Sequence, residues 1–367
     1  MTDPRIGKLA DLLVNYSVKV QPKEWVLING HMTAEPLVSE VLRAVLEAGG
    51  RPTVLMGSDN ITEYSLKYAN EDQIQWIAPT VKMLYEEADV LIALRAFDNT
   101  RHMSGVDPKK QQLLGQARQS LMHTYMTRSA AGELKWVLTQ FPCSAYAQDA
   151  DMSLGEYEDF VYGATYCDRE DPVAEWQRIH NEQQKVVDWL NGKKEVTVKS
   201  PNVDLALSVE GRTFINSDGT NNMPSGEVFT GPVEESANGW VNFTYPAIEQ
   251  GKEVEGIRLE FKAGKVVNAT ADKNEDFLLA MLDSDDGSRY LGEFAIGTNY
   301  GIKKFTKSIL YDEKIGGSFH MALGAGYPET GSKNVSAIHW DMICDVREDS
   351  EIRVDGELLY KDGKFMI

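Results

Sequence analysis

Residues 24–57 read EWVLINGHMTAEPLVSEVLRAVLEAGGRPTVLMG. The apolar run EWVLING stops on Gly30 and predicts a strand. From about Ala34 to Glu47 the apolar side chains recur at helical spacing, and Gly49 and Gly50 supply the stop. RPTVLMG predicts a second strand. Strand, helix and strand at this spacing form a βαβ unit, and repeats of that unit build a parallel sheet. The pattern recurs in ADVLIALRAF (Ala88–Phe97), a helix around Lys109 to Leu121, and LKWVLTQFP (Leu134–Pro142). Ile6 to Tyr16 have helical periodicity as well. The first half therefore predicts a small doubly wound α/β domain. Its turn Asn29, Gly30, His31 has neither a GxGxxG nor a Walker sequence around it, so a nucleotide is not expected. His31 is expected to cap or flank the helix that follows.

Further along, PVAEWQRIHNEQQKVVDWL (Pro172–Leu190) predicts one long helix, with His180 on its exposed side, and NGKKEV after it has the composition of a domain junction. The expected domains are 1–195, α/β, and 196–367, α+β with a mixed or antiparallel sheet that carries a metal site. From about Val196 the texture changes to short alternating runs, among them VDLALSVEG, GEVFTGPVE, WVNFTYPAI and GIRLEFKAGKVV, separated by turn residues. A single helix, EDFLLAMLDS, is expected after Asn274, which is placed to cap it.

Composition narrows the functional classes. A chain of 367 residues suggests two or three domains and is long enough for a large core. Its net charge of −19 argues against nucleic acid or an anionic membrane as partner, since both would be repelled. The first twenty residues carry scattered charges and no long apolar run, so neither a signal peptide nor a membrane span is expected, and the location expected is cytoplasmic. Three cysteines without CxxC spacing give neither a disulfide framework nor a thiolate zinc site. Cys344, on a buried strand, is expected to be a small core residue rather than a nucleophile.

The chemistry concentrates in LYDEKIGGSFHMALGAGYPETGSKNVSAIHWDMICD (Leu310–Asp345). Only six histidines occur in the chain, and the two in its second half, His320 and His339, both fall here with Tyr327 and Asp341. NVSAIHWDMI predicts a strand. Side chains two apart on a strand share a face, so His339 and Asp341 point together while Ile338, Trp340 and Met342 pack on the other side. An imidazole beside a carboxylate suits zinc, cobalt, manganese or iron; a hydrogen-bonded pair without metal is the other reading. Two more carboxylates stand out by context. Glu227 follows the turn Pro224, Ser225, Gly226 and opens a strand, and Glu293 lies within the apolar LGEFAIG. A buried carboxylate is costly unless it is paired or bound to a cation.

GEVFTGP, LGEFAIGTN, LYDEKIGGSFHMALGAGYP and NVSAIHWDMI, in that order, resemble the aminopeptidase T and aminopeptidase S family of metallopeptidases. The resemblance covers most of residues 196–367, with weaker motifs in the first half. It implies that Glu227, Glu293, His320, His339 and Asp341 bind metal and that Tyr327 is the active-site tyrosine. Glu313 matches an acidic position of the family and could be ligand or proton relay. The implied centre holds two divalent ions (zinc, cobalt, manganese or magnesium), roughly 3.5 to 4 Å apart with one carboxylate bridging, and Glu293 is the expected bridge. The implied activity is hydrolysis of the first peptide bond of substrates with a free N-terminus by a metal-activated water, and the implied assembly is a homodimer. A second reading is a mononuclear non-haem iron ring-cleaving dioxygenase with His320, His339 and Asp341 as its facial triad. One iron does not need Glu227 and Glu293 as well. A third, a decayed site on a binding scaffold, is opposed by the presence of every candidate ligand.

Overall fold

The computed structural model describes residues 3–367. The chain forms two compact units. The first reaches to Ala174 and takes in Gly219–Pro224; the second comprises Glu175–Asp218 and Ser225–Ile367.

The first unit is built on a five-stranded parallel sheet in the order Arg51–Gly57, Trp25–His31, Val90–Arg95, Lys135–Gln140, Asn222–Met223. Val26, Leu27 and Ile28 are all buried although they are consecutive, as expected for a strand covered on both faces. The helix Glu35–Glu47 turns Leu37, Val38, Val41, Ala44 and Val45 inward and ends at Gly49, whose φ of +82° only glycine adopts readily. His31 does cap: its Nδ1 accepts the Thr33 N–H at 3.1 Å. The chain leaves Trp25–His31 first to one side and then to the other, which makes the sheet doubly wound.

Three short helices, Asp59–Tyr68, Glu71–Gln75 and Pro79–Glu87, have no counterpart in the sequence reading. Tyr64 and Tyr68 on the first of them and Trp76 just past the second stay exposed, so no apolar stripe marks them. The helix expected to end near Leu121 runs Pro108–Ala130 and buries none of its side chains, which leaves its length without a hydrophobic signature.

The second unit holds two large antiparallel sheets. One has eight strands, in the order Lys265–Thr270, Arg258–Lys262, Asn238–Asn242, Val203–Ser208, Glu195–Ser200, Glu351–Val354, Glu357–Lys361, Lys364–Phe365. The other has five, in the order His339–Asp345, Ser318–Gly324, Leu291–Gly297, Glu227–Thr230, Ile215–Ser217. A single core joins them: Val198, Leu205, Val241 and Leu259 from the larger sheet meet Phe294, Phe319, Met321, Trp340 and Met342 from the smaller. Cys344 is fully buried in this core.

Some local expectations are corrected. The strand expected from Asn334 begins only at His339, because side chains claim the preceding backbone: Ala337 N–H donates to Asp285 and the Asn334 amide donates to the Gly287 and Gly324 carbonyls. Asn274 precedes the helix Glu275–Leu282 but does not cap it; its φ is +59° and its amide donates to Glu253 O. His180 is not simply exposed, since its Nδ1 lies 2.6 Å from the buried Asp218 carboxylate. Among the described residues no helix is long and apolar enough to cross a membrane.

The five-stranded sheet departs from regular register at one place. Leu291 pairs with Leu323 but Glu293 pairs with Ala322, so Gly292 forms a bulge that rotates the next side chain. A Cβ at Gly292 would run into the backbone carbonyl of Ala325. Gly292→Ala is therefore expected to destabilise the protein by about 1–3 kcal/mol. Gly163→Ala, in a helix and facing open space, should be neutral or stabilise by up to about 1 kcal/mol. Urea unfolding of both variants checks the contrast.

Candidate metal centre

The two faces of the five-stranded sheet divide by strand alternation. Val228, Phe294, Ile296, Phe319, Met321, Trp340 and Met342 enter the core, which leaves Glu227, Glu293, His320, His339 and Asp341 on the opposite face. Each of the five has a small residue across the ladder on at least one side. Glu227 faces Gly297, His320 faces Ala295, Glu293 and Asp341 both face Ala322, and His339 faces Gly324. Five polar side chains from four strands thus have room to converge.

Their reactive atoms meet in overlapping groups, each within 4.8 Å: Glu227, Glu293 and His320; Glu293, His339 and Asp341; and Glu313, His320 and Asp341. Glu293 gives one carboxylate oxygen to each imidazole, Oε1 at 3.7 Å from His320 Nε2 and Oε2 at 3.2 Å from His339 Nε2. Asp341 Oδ1 lies 3.6 Å from His339 Nε2 and 3.9 Å from His320 Nε2. Both rings are oriented from behind. His320 Nδ1 donates to Glu313 O at 2.8 Å and His339 Nδ1 to Ala325 O at 2.7 Å. A carbonyl only accepts, so Nδ1 carries a proton and Nε2, turned toward the cluster, is the atom free to exchange its proton for a cation.

Burial and charge act strongly on one another here. Loss of water pushes Glu227 up to about 7 and Asp341 up to about 6, against the pull of Lys314 on the first and of His339 on the second. Burial would also raise Glu293, but the two imidazoles outweigh it and hold that carboxylate at about 2. Burial disfavours charge on His320 and His339, yet the surrounding carboxylates raise both to about 10. Without a cation, protons supply the positive charge that the cluster needs.

The donor set fits a divalent cation on further grounds. Glu227 Oε2 and Asp341 Oδ1 are buried with no hydrogen-bond partner. A buried carboxylate oxygen left unpaired costs free energy that a bound ion recovers. Carboxylates and imidazoles together accept zinc, cobalt, manganese or magnesium.

The other expected residues lie at the rim. Tyr327 packs edge-on against His339, with ring centroids 5.1 Å apart, and against Phe229 at 5.5 Å. Its hydroxyl is held protonated by loss of water and by the carboxylates of Glu293, Asp341, Glu313 and Glu227. Glu313 bonds to Lys314. Sequence reasoning missed Lys314, a fully buried lysine whose Nζ is also 3.9 Å from Glu227 Oε1. It missed Gln183 too, whose buried amide donates to the Glu227 carbonyl at 3.0 Å and fixes the backbone of that residue. Lys314 lies inside one of the motifs and Gln183 in none, and only the fold shows that both are buried. In the first unit His31, Asp59 and Asp98 also cluster. There Asp59 Oδ2 accepts the N–H groups of Asp98 and Asn99 at 2.7 and 2.9 Å, which ties down a loop.

Known proteins share this arrangement of chain. Aminopeptidase 2 of Geobacillus stearothermophilus is 26% identical over 99% of this chain and 95% of its own length. The structure of wild-type AmpT from Thermus thermophilus superposes with a TM-score of 0.85 at 22% identity, covering 99% of both chains. The 2,5-dihydroxypyridine dioxygenase of Pseudomonas putida KT2440 shares the fold at a TM-score of 0.60 and 12% identity, over 100% of this chain and 98% of the other. The family model described as thermophilic metalloprotease (M29) matches residues 2–365. On that match, running almost from end to end, the chain belongs to the M29 family of thermophilic metalloproteases.

Proposed function

We propose that this protein is a metal-dependent aminopeptidase that releases the first residue from peptides with a free N-terminus, using two divalent ions held by Glu227, Glu293, His320, His339 and Asp341. The observation that carries this reading is the division of the Glu293 carboxylate, one oxygen toward each imidazole, which is the arrangement a bridging ligand needs. The family is one of metalloproteases, and relatives that align over nearly the whole chain are named aminopeptidases. The enzyme is accordingly a hydrolase of the metallo-aminopeptidase type. The one-iron dioxygenase reading leaves the buried Glu227 and Glu293 without a role, and the dioxygenase is similar to this chain in fold alone. A homodimer agrees with the helix Pro108–Ala130, which buries no side chain and exposes Met122 and Met126.

Bound divalent ions supply Lewis acidity and make water acidic enough to lose a proton near neutral pH. The chain's own residues do the rest. Tyr327 donates a hydrogen bond to the substrate carbonyl oxygen as negative charge develops there. Glu313 accepts the proton of the attacking water and passes it to the departing amine. Lys314, which bonds to Glu313, keeps that carboxylate in place.

Leucyl-anilide and N-acetyl-leucyl-anilide separate the readings. Purified protein should cleave only the first, lose activity to a chelator, and regain it with zinc, cobalt or manganese. Inactivity toward both under every metal would sink the proposal. Tyr327→Phe should lower kcat roughly 10²- to 10³-fold while metal content, measured by elemental analysis, stays unchanged. A third expectation concerns the chelated protein. His320 and His339 sit near 10 in the fold against about 6.5 in the unfolded chain. Their stabilisation is complete below about pH 6.5 and is lost as pH rises through about 10. The Tm of chelated protein should therefore fall across that window more steeply than that of metal-loaded protein, as calorimetry will show.

A further inference from the structure

A cavity of about 140 Å³ opens beside the carboxylate cluster, within the second unit, and Asp341 forms part of its wall. Its other walls are mainly apolar: Ala247, Ile248, Phe305, Ile309 and Ile343. The connection to the cluster is built into the sheet. Ile343 lies two residues beyond Asp341 on the same strand face, and it pairs directly with His320 across the ladder. A group entering this cavity therefore lies one side chain away from the two residues that face the proposed reaction centre.

Size and charge together say what fits. An apolar cavity of about 150 Å³ accommodates a benzene molecule, so this one admits a branched aliphatic side chain or a single aromatic ring. An acidic side chain would meet the carboxylate of Asp341 at one wall and that of Asp312 at another. Asp312 Oδ1 already accepts the N–H and hydroxyl of Thr306 at 2.8 and 2.9 Å. The lysine on the lining, Lys307, lies 3.6 Å from Glu253. A third carboxylate would be desolvated against these two.

We propose that this cavity receives the side chain of the substrate's first residue and selects leucine- or phenylalanine-sized apolar side chains over small and acidic ones. The inference rests on the aminopeptidase reading above and adds the substrate class. Ile309 is 47% exposed, so it can be enlarged without disturbing the core, and Phe305 at another wall can be cut back.

The test is kcat/KM for leucyl-, phenylalanyl-, alanyl- and glutamyl-anilides with metal-loaded wild type, Ile309→Trp and Phe305→Ala, paired with calorimetric titration of leucinamide and alaninamide. Wild type should prefer leucyl over alanyl by at least about tenfold and bind the two amides in the same order. Ile309→Trp should erase most of that ratio while still cleaving the alanyl substrate, and Phe305→Ala should shift preference toward the phenylalanyl substrate. A leucyl-to-alanyl ratio unchanged in both variants, with alanyl turnover intact, overturns the subsite and leaves the aminopeptidase reading standing. Failure of wild type to cleave any free-amine anilide removes that reading, and the subsite with it.

Discussion

Gathering Glu227, Glu293 and Asp341 on one face of a sheet whose other face is a hydrophobic core is the constraint to which the second unit answers. Each carboxylate gives up water on burial, and the three repel one another. The protein offsets this with two imidazoles turned toward the cluster and the buried ammonium of Lys314. It does not offset it fully: Glu227 Oε2 and Asp341 Oδ1 remain without a hydrogen-bond partner. That residual cost makes the face an attractive site for cations rather than a satisfied polar core.

The surrounding structure keeps the cluster both open and rigid. On at least one side of each of the five donors a glycine or alanine stands across the ladder, which leaves room where they converge. The bulge at Gly292 turns Glu293 into line with donors from the neighbouring strands. Carbonyls of Glu313 and Ala325 fix the tautomer of each histidine, and Gln183, from a helix, fixes the backbone of Glu227. Behind all of this the larger sheet packs Val198, Leu205 and Leu259 against the non-polar face of the smaller one. A misplaced donor would therefore require the core to move, which close packing resists.

Where sequence reading succeeded, the physical signal was local. The βαβ period of residues 24–57 led to the parallel sheet, because both faces of Trp25–His31 are buried and the helix Glu35–Glu47 has one clear apolar stripe. Alternation in HWDMI told which side chains of that strand share a face. Where it fell short, a tertiary partner had replaced the local rule. Asn274 bonds to Glu253 instead of capping its helix, residues 334–337 bond to distant groups instead of extending the strand, and the helix Pro108–Ala130 carries no apolar stripe to show its length.

The candidate site divides along the same line. Residue type and spacing singled out His320, His339 and Asp341, and the resemblance to the aminopeptidase family added Glu227, Glu293 and Tyr327 and held Glu313 open as a seventh, because each lies in a short stretch of distinctive chemistry. Only the tertiary structure decided which of these atoms approach one another, that Glu293 divides its two oxygens between the imidazoles, that Lys314 is buried among the carboxylates, and that residues 219–224 return to the sheet of the first unit. The physical reason is that residue identity and local periodicity are properties of the chain itself. Burial and electrostatic coupling belong to pairs of residues far apart in the chain, and they exist only once the strands have paired.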